Sequence, residues 1–575
     1  MIDAATEPKL AGARISGTAE QPLPWSKAIR FFTRFGAYDL ATIVLLAALV
    51  IISLCTFKDY AITNDEGVQH HYGELIVAYY TSGLAERGVF SFQNLYLYGG
   101  LFDIIAVALS HLIPIDPYDL RHILCASIGI AGVAGAAATA RLIAGPRAAL
   151  IAAVGLSVCG VWYGAMFNHT KDIPFAAAMT GATLVLIRIA RRLPLPSAGD
   201  LAAFGLLTGA ALGIRVLGLL LGIYAGFAIV LYLPRPWLGS GRARWRFVIE
   251  SSLRLLPALV LAYVIMVLAW PWAGLAPLNP IRALFAFSEF HYEIRTVLAG
   301  RVYEMAAVPR LYVPIYFLIR LPLLVLIGAA LAMLSVLLPL GAAHFRQLRG
   351  RDITLLSLTV IFPLICQVIL HGPAFTGLRH FLFVLPALAT LAGIGLDAVL
   401  SALAARSRVV ASGAVVIVTA CFLWDGVTLA RLHPYEYLFY NPVVGGLEGA
   451  SRRYDLDYWF SSMPEALDQL EAYLRRTAAD DANWPTRVYS VAVCGERLSF
   501  EKNVTLPQLH FDFKPQWEQS EFFIAPTHMN CDRDLDGKVI GTVERLGVVI
   551  SYVKDRRALT GPVATDAANV PAPTR

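Results

Sequence analysis

The feature that most constrains this chain is a series of long apolar runs, of which LATIVLLAALVIISLCTF (residues 40–57) is the first. An α-helix needs about 20 mostly apolar residues to cross the ~30 Å hydrocarbon core of a bilayer. Hydrophobic residues make up 57% of the 575 residues and charged residues 15%, whereas soluble proteins average roughly 45–50% and 25%. The sequence therefore predicts a polytopic α-helical membrane protein.

Lys and Arg predict how the runs are oriented, because short loops rich in these residues stay on the cytoplasmic side of a membrane. Keeping every basic loop on that side requires eleven spans, with the N-terminus inside and the C-terminal region outside. The net charge of +6 lies mostly in these loops, so it predicts membrane insertion and no binding to nucleic acid. The basic segments are RLIAGPR (141–147), RIARR (188–192), PRPWLGSGRARWR (234–246), HFRQLRGR (344–351) and ARSR (405–408). The predicted spans lie near residues 38–57, 121–143, 148–166, 172–190, 200–214, 216–233, 252–272, 312–340, 354–371, 379–400 and 409–430.

Two apolar segments need separate treatment. LYLYGGLFDIIAVALSHLIPI (95–115) is long enough for a span, but counting it as one would place the 188–192 cluster outside. Asp103, His111 and the Gly-Gly pair suit an amphipathic helix at the membrane interface better. The 200–233 region is too long for one helix and has Arg215 at its middle, where a charge would be costly. We therefore expect two short spans joined by an external turn at Arg215.

The composition predicts four parts. Residues 1–37 form a disordered cytoplasmic N-terminus, and residues 38–430 form the membrane domain, which includes a large external loop at 58–120 with one or two interfacial helices. From about residue 431 the chain becomes more polar. The amphipathic stretch MPEALDQLEAYLRR and the β-type runs RVYSVAV, EFFIAP and GVVISYV then predict a small external α/β domain at 431–555. Residues 556–575, rich in Ala, Pro and Thr, form a disordered tail.

The seven cysteines show no spacing that is typical of a metal site. Five of them lie in apolar segments, where a cysteine behaves as a small hydrophobe. Cys494 and Cys531 lie in the polar C-terminal part, and they would be able to pair if that part faces an oxidising periplasm. The sequence alone leaves this pairing open.

Acidic, histidine and arginine side chains gather at the external ends of the predicted spans, while the apolar segments contain few of them. Ionisable groups close to a membrane interior often mark a substrate or ion pathway. Together they predict a cavity with carboxylates on one wall and cations on another. The patches are TNDEGVQHHYGE (63–74), FNHTKDIP (167–174), IRV (214–216), FSEFHYEIRTVLAGRVYE (287–304) and HGPAFTGLRHF (371–381).

Such a cavity suits the transfer of a sugar from a lipid-linked phosphate to a hydroxyl group. A carboxylate near the acceptor removes the acceptor's proton as the new bond forms. Arg and Lys side chains stabilise the departing lipid phosphate, and no protein acid is required because phosphate leaves readily. Hydrophobic grooves between the spans would hold a polyprenyl tail.

Several motifs resemble the GT-C fold glycosyltransferases that use polyprenyl-phosphate sugars, a group that includes protein O-mannosyltransferases and lipid A aminoarabinose transferases. The Asp65–Glu66 pair follows the first span and leads into a helix that contains Tyr72. Asp172 opens the fourth span within KDIPFA, and GIRVLG occupies a hairpin where relatives often have a small-Thr-Lys-Gly motif. GLRHFLFVLPALATLAGIGL is similar to their Arg-aromatic, Leu-Pro-rich late helix, while VPRLYVPIYFLIRLP and HPYEYLFYNPVVGG are similar to bacterial members with a C-terminal periplasmic domain. The resemblance covers about residues 38–430.

The resemblance implies an inverting transferase of the bacterial inner membrane, multi-pass, with its active site on the periplasmic side. It implies Asp65 as the general base with Glu66 beside it, and Asp172 in support of the acceptor or donor site. The donor would be a polyprenyl-phosphate-linked monosaccharide, and the acceptor a hydroxyl or amino group on an envelope lipid, glycan or protein. Candidate ligands of the donor phosphate are Lys171, Arg215, Arg379 and His380, and candidate contributors from an external loop are Glu289, His291 and Arg295.

No cofactor is expected, because the monosaccharide-transferring relatives generally use no metal. The alternative is a divalent metal, since His70 and His71 lie close in sequence to Asp65 and Glu74 and these residue types bind metal ions. Oligosaccharyltransferases of the same broad fold do use one. The histidine pair belongs to no motif of the family, and Arg215 stands where lysine is commoner.

The candidate residues also have structural alternatives. Asp65 and Glu66 would be solvated charges at a helix start, and Asp172 would cap the fourth span while Lys171 extends toward the interface. For the whole chain, the alternative functions are a transporter or lipid flippase and a non-catalytic assembly subunit. The sequence shows no inverted repeat of the kind that many transporters have.

Overall fold

A computed structural model describes residues 36–233, 239–288, 294–337, 348–477, 484 and 486–560. Most of this part of the chain is helical, and its helices lie where the apolar runs predict them. Within these described ranges, seven helices are long and apolar enough to cross a membrane, and two bent helix pairs raise that number to nine. The predicted fold class, a polytopic helical membrane protein with a small C-terminal α/β sheet, is confirmed.

The long helices follow one another through residue 432, and one more belongs to the C-terminal region. They are α1 (Ala37–Thr56), α2 (Asn64–Thr81), α3 (Leu101–Ser110), α4 (Pro117–Ala144), α5 (Pro146–Ser157), α6 (Asp172–Ala190), α7 (Ala198–Leu212), α8 (Leu220–Leu231), α9 (Gly241–Ala269), α10 (Asn279–Ser288), α11 (Tyr312–Arg320), α12 (Leu323–Leu337), α13 (Leu348–Leu370), α14 (Leu385–Arg406), α15 (Arg408–Leu432) and α16 (Met463–Thr477).

Four of the predicted spans are shorter or more bent than a straight transmembrane helix. α5 meets the short helical segment 160–168 at 68°, and α11 meets α12 at 117°. α7 has 15 residues and α8 has 12, so each is a short apolar helix. Arg215 lies between them, in the turn that the sequence predicts.

Helix boundaries follow the local sequence. α4 begins at Pro117, whose missing N–H and fixed φ suit the first turn of a helix, and Asp116 Oδ1 accepts a hydrogen bond from the Tyr118 N–H at 2.8 Å. α7 begins after Ser197, whose hydroxyl oxygen accepts from the Asp200 N–H at 3.1 Å. These side chains satisfy N–H groups that a first helical turn leaves without a carbonyl partner.

Glycines bring α14 into backbone contact with two neighbouring helices. A Cβ atom added at Gly393 would lie 2.4 Å from the carbonyl oxygen of Ala148 in α5, and one at Gly395 would lie 2.0 Å from that of Gly328 in α12. Lipid tails are as apolar as the helices, so close backbone packing supplies much of the attraction between helices in a membrane. A side chain at either position would force these helices apart.

One end of the helix bundle, called the basic end here, carries the basic segments 141–147 and 188–192. Their arginines pair with acids on neighbouring helices, which holds these helix ends together on one side. That arrangement agrees with the predicted orientation, in which the basic loops share one face of the membrane. The pairs are Arg141 with Asp39, Arg147 with Asp397, Arg191 with Asp352, and both Arg188 and Arg192 with Asp200.

The loop at 58–120 folds into a compact layer built on α2 and α3. The two helices approach closely, because a Cβ atom at Gly73 would lie 2.8 Å from the Asp103 carbonyl oxygen. Arg121 of α4 is fully buried and donates to Asp103 Oδ1 at 2.8 Å and to Thr170 Oγ1 at 3.0 Å. This arginine therefore ties α3 and α4 to the segment that leads into α6.

The C-terminal region contains α16, a shorter helix α17 (Arg497–Asn503) and a mixed five-stranded sheet, and a separate hairpin of β1 and β2 precedes α11. The sheet order is β4-β3-β5-β7-β6, with β3 parallel to β4 and β5, and β7 antiparallel to β5 and β6. The three β-type runs of the sequence form β3, β5 and β7, whereas β4 and β6 were not predicted. Cys494 and Cys531 form a disulfide, and the domain boundaries stay a prediction. The strands are β1 (Arg295–Leu298), β2 (Arg301–Glu304), β3 (Tyr489–Val493), β4 (Leu509–Asp512), β5 (Phe522–Pro526), β6 (Lys538–Arg545) and β7 (Val548–Asp555).

Candidate active site

The start of α2 gives two adjacent carboxylates different surroundings. Glu66 is fully buried, and its Oε2 accepts hydrogen bonds from Thr63 N at 2.9 Å and Thr63 Oγ1 at 3.1 Å, which fixes the beginning of the helix. Glu66 Oε1 lies 3.1 Å from His122 Nε2 of α4. Asp65 instead pairs with Arg379, and its side chain is 34% exposed. Asp65 is therefore the carboxylate of the pair that a substrate can reach.

Four charged residues form a chain of alternating sign, called the charge chain here: Asp65, Arg379, Asp172 and Arg215. Arg379 Nη2 donates to Asp65 Oδ2, and Arg379 Nε donates to Asp172 Oδ2 at 3.1 Å. Arg215 Nη2 donates to Asp172 Oδ1. Both oxygens of the buried Asp172 are thus held by arginines, while Asp65 has a single arginine partner and reaches the surface.

The elements that supply the charge chain all place it at the end of the bundle opposite the basic end. Asp65 follows α1, whose first turn carries Asp39 of the basic end. Asp172 is the first residue of α6, and Arg191 of the basic end follows the last residue of that helix. Arg379 begins the helical turn that leads into α14. These residues come together because each lies in a segment next to a membrane helix, on the side of the bundle opposite the basic end.

Lys171 adds a cation beside the charge chain without a carboxylate partner of its own. Its side chain is buried, and the Nζ atom lies 4.5 Å from the ring centre of Tyr98 and 6.0 Å from that of Tyr72. Among the ion pairs of the described residues, none includes Lys171. Burial lowers the pKa of the Lys171 ammonium group to about 8, although the nearby Asp103 carboxylate opposes that shift. Lys171 is therefore charged at neutral pH and is held by aromatic faces.

The balance of charge favours an anion at this site. The two acids of the charge chain neutralise its two arginines, so Lys171 leaves an excess of one positive charge. The Nε atom of Arg215 is buried and has no hydrogen-bond partner among the residues that the structure describes. A buried donor without a partner costs free energy, and a ligand with acceptor oxygens would remove that cost.

Aromatic residues from the C-terminal region complete the site, and the sequence did not predict them. Trp459 covers Arg379, with the guanidinium carbon 4.4 Å from the ring centre. Tyr458 contacts His169, whose Nε2 lies 2.8 Å from the tyrosine oxygen. Burial, reinforced by the Arg215 charge, lowers the pKa of His169 to about 3, so that imidazole is neutral. The only sequence signal for this wall was the aromatic pair in the turn-rich stretch RYDLDYWF.

The four remaining candidates are His380 and three residues of the predicted external loop. His380 follows Arg379 directly, and its ring contacts Phe375 at 4.6 Å between centres. Arg295 lies at the exposed start of β1, where its backbone pairs with Glu304. The other two candidates of that loop, Glu289 and His291, lie outside the described residues. These four assignments stay predictions.

The residues considered for a metal are engaged with one another. His71 Nδ1 lies 2.9 Å from Glu74 Oε2, and His70 Nε2 lies 3.6 Å from Glu74 Oε1, whereas Asp65 pairs with Arg379. Within the described part of the chain, no group of three or more His, Cys, Asp or Glu residues could hold a metal ion. His70, His71, Glu74 and Asp65, the metal ligands considered from the sequence, do not form a cluster that could bind one metal ion.

No protein-family model and no curated protein matches the sequence. The structure is similar to several solved structures at low sequence identity. ArnT from Cupriavidus metallidurans bound to undecaprenyl phosphate is 16% identical, with 91% of this chain and 99% of that chain covered and a TM-score of 0.43. The archaeal oligosaccharyltransferase AglB from Archaeoglobus fulgidus, in complex with an inhibitory peptide and a dolichol-phosphate, is 12% identical, with 84% and 69% covered and a TM-score of 0.44. The protein O-mannosyltransferase complex Pmt1–Pmt2 of S. cerevisiae, bound to its sugar donor, is 15% identical, with 45% and 39% covered and a TM-score of 0.30.

Proposed function

We propose that the protein is an inverting glycosyltransferase of the bacterial inner membrane. It would move a monosaccharide from a polyprenyl-phosphate donor to an envelope lipid, glycan or protein acceptor on the periplasmic side. The observation that carries this proposal is the charge chain itself, which ends in the partly exposed Asp65 and lies beside the surplus cation Lys171. A carboxylate base and a phosphate-binding cation are the two groups that this reaction needs.

Asp65 is the proposed general base. The acceptor oxygen attacks the anomeric carbon of the sugar, the bond from that carbon to the phosphate oxygen breaks, and its electron pair leaves on the phosphate. The acceptor proton passes to Asp65 during this single displacement, which inverts the anomeric centre. Asp172 is a poorer candidate base, because it is buried and two arginines occupy both of its oxygens.

Lys171, Arg215 and Arg379 are the proposed ligands of the phosphate. Negative charge grows on the phosphate as the sugar departs, and cations that are already fixed in place stabilise that charge without reorganising. Asp172 orients both arginines, and Trp459 covers the face of Arg379. In this proposal Lys171 supplies the charge that remains available, while the Arg215 Nε supplies a hydrogen-bond donor.

The test is transfer of radiolabelled sugar from synthetic undecaprenyl-phosphate sugars in proteoliposomes. Wild type is compared with Asp65→Asn and with Glu74→Gln, a matched control because Glu74 is an exposed acid on the same helix. We expect Asp65→Asn to lower the transfer rate about 10³-fold and Glu74→Gln to leave it within about twofold.

Two outcomes would overturn parts of the proposal. Equal rates for wild type and Asp65→Asn would remove Asp65 as the base. Movement of labelled lipid across the bilayer, without consumption of any donor, would replace the enzyme by a transporter or flippase.

A further inference from the structure

A cavity lies in the C-terminal sheet, and none of the residues of the charge chain lines it. It has a volume of about 220 Å³ and opens where β3 and β4 end. The loop after β3 supplies one wall and the segment after β4 supplies the other. The polar and aromatic residues that line it are Glu496, Arg497, Asp512, Phe513, Lys514 and Trp517.

The topology of the sheet explains why a cavity forms there. β3 lies between β4 and β5 and runs parallel to both. The connection after β3 leads to β4 on one side, and the connection after β4 crosses to β5 on the other side. Loops diverge at the carboxyl ends of such strands, and ligands of open parallel sheets bind in the resulting crevice. The Cys494–Cys531 disulfide fixes the first residue of the loop after β3, which stabilises the shape of this wall.

The residues of the cavity combine a buried carboxylate with accessible aromatic rings. Asp512 is 6% exposed and accepts a hydrogen bond from the Ser520 hydroxyl. Phe513 is 54% exposed at the opening, although large aromatic side chains usually lie inside a protein. The Lys514 ammonium lies 5.7 Å from the ring centre of Trp517, and the Arg497 guanidinium lies 5.7 Å from that of Phe513.

This combination points to one ligand class. Two acids and two cations line the cavity, and Arg497 also pairs with Glu501, so the site has no excess positive charge that would select a phosphate. An entirely apolar ligand would remove water from the charged groups of Arg497 and Lys514 without replacing its hydrogen bonds. A pyranose ring has an apolar face of C–H groups that packs on an aromatic ring, and an edge of hydroxyls that carboxylates and ammonium groups can bind.

We propose that this cavity is a saccharide-binding site that holds the glycan part of the acceptor. The link to the acceptor rests on the function proposed above, whereas saccharide binding itself does not.

The position of the cavity suits that role. Arg497 at its rim is the first residue of α17, and the next residue, Leu498, packs on Gly67 of α2, where an added Cβ atom would lie 2.6 Å from its Cδ2. Lys502 of α17 forms an ion pair with Asp116 at 3.0 Å. One short helix therefore connects the rim of the cavity to the turn of α2 that carries Asp65.

Binding is measured by saturation-transfer difference NMR on the full-length protein in detergent, with maltotriose, chitotriose and mannotriose as separate probes. Phe513→Ser and Lys514→Gln change exposed side chains, so both variants should fold. Val539→Ser is the matched control, because Val539 is an exposed apolar residue of the same sheet that does not line the cavity. We expect at least one probe to bind wild type, and Phe513→Ser to weaken that binding about tenfold. Val539→Ser and Asp65→Asn should leave it unchanged.

The outcomes separate this inference from the proposed function. The saccharide site is overturned if no probe binds wild type at about 10 mM, or if Phe513→Ser and Lys514→Gln bind as well as the control. Probe binding that persists in an Asp65→Asn protein without transfer activity would support the site and leave the reaction to be judged separately. Transfer activity in wild type without probe binding would support the proposed glycosyltransferase and overturn the saccharide site.

Discussion

The two ends of the helix bundle use the same residue types in opposite ways. At the basic end the acids are buried and the arginines reach out, as in the pair of Asp39 with Arg141, whose side chain is 53% exposed. At the other end the arginines are buried, since Arg379 is 10% and Arg215 is 12% exposed, and Asp65 is an acid that reaches the surface, with 34% of its side chain exposed. The residue types are the same at the two ends, and the burial of the cation distinguishes them.

The physical cost of the two arrangements differs. A mostly exposed arginine such as Arg141 keeps its charged group near water and headgroups, so its pair costs little and stabilises little. A buried guanidinium loses its hydration, and only well-placed anions offset that loss. Arg379 recovers part of it from two carboxylates and from the face of Trp459. In the proposed function, an anionic ligand would offset the rest of that cost.

The largest expected effect is a difference in kcat between variants of Asp65, the exposed acid of the charge chain, and Asp39, a buried acid of the basic end. Asp65→Asn should lower kcat for sugar transfer about 10³-fold, while the pair of Arg379 with Asp172 remains intact. Asp39→Asn changes an acid of the basic end and should leave kcat within about twofold. Initial rates in proteoliposomes over a range of donor concentrations measure both variants. Equal losses of kcat in Asp65→Asn and Asp39→Asn would show that the two ends do not differ in function.

The next effect separates stability from catalysis. Arg379→Gln and Arg191→Gln each remove an arginine from a buried acid, Asp172 or Asp352. Each should lower the free energy of unfolding by about 3 kcal/mol, but only Arg379→Gln should also lower kcat, by about 10²-fold. Thermal unfolding in detergent and transfer rates per folded protein test the two parts. A loss of kcat in Arg191→Gln would contradict the assignment of function to one end.

A smaller effect concerns the surplus cation. Burial lowers the pKa of Lys171 to about 8, so the side chain is protonated below that pH and loses its charge as the pH rises through it. The KM for the donor should therefore rise about tenfold between neutral pH and about 9.5, and then level off because the two arginines still bind the phosphate. In Lys171→Arg the KM should stay flat, because arginine remains charged throughout this range. A wild-type KM that does not change between neutral pH and about 9.5 would remove Lys171 from the phosphate site.

The smallest effect is expected for an exposed pair at the basic end. Arg141→Gln should change the free energy of unfolding by less than about 1 kcal/mol and should leave kcat and KM unchanged, since Arg141 is mostly exposed. Thermal unfolding at low and high salt measures the contribution of the pair. A loss as large as that of Arg191→Gln would show that exposure does not predict the strength of these pairs.

The sequence predicted the spans because the thickness of the bilayer sets the apolar length of each helix, and basic loops set its orientation. Both effects act on each helix independently of its neighbours. The turn at Arg215 followed from the same reasoning, since a charge at mid-membrane is costly. Asp65, Asp172, Arg215 and Arg379 were each found as charged residues at helix ends. Their pairing was not predictable, because it depends on which helices are neighbours in space.

Other parts of the site needed the structure for a different reason. The sequence treats Asp65 and Glu66 as equivalent, and only the hydrogen bonds to Thr63 show that Glu66 is used to begin α2. Trp459 could not be assigned to Arg379, since 80 residues of mixed character separate them and aromatic residues are common in turns. β4 and β6 were missed because their apolar patterns are short or interrupted.

The contact between Asp65 and Arg379 joins residues that are 314 positions apart in the chain. A ribosome adds about 5–20 residues per second, so Arg379 emerges on the order of 15–60 s after Asp65. During that interval the first helices can already be in the membrane, yet Asp65 has no arginine beside it. If the proposed function holds, a half-made chain is an inserted but inactive protein, and activity begins only after the segment that carries Arg379 has been made.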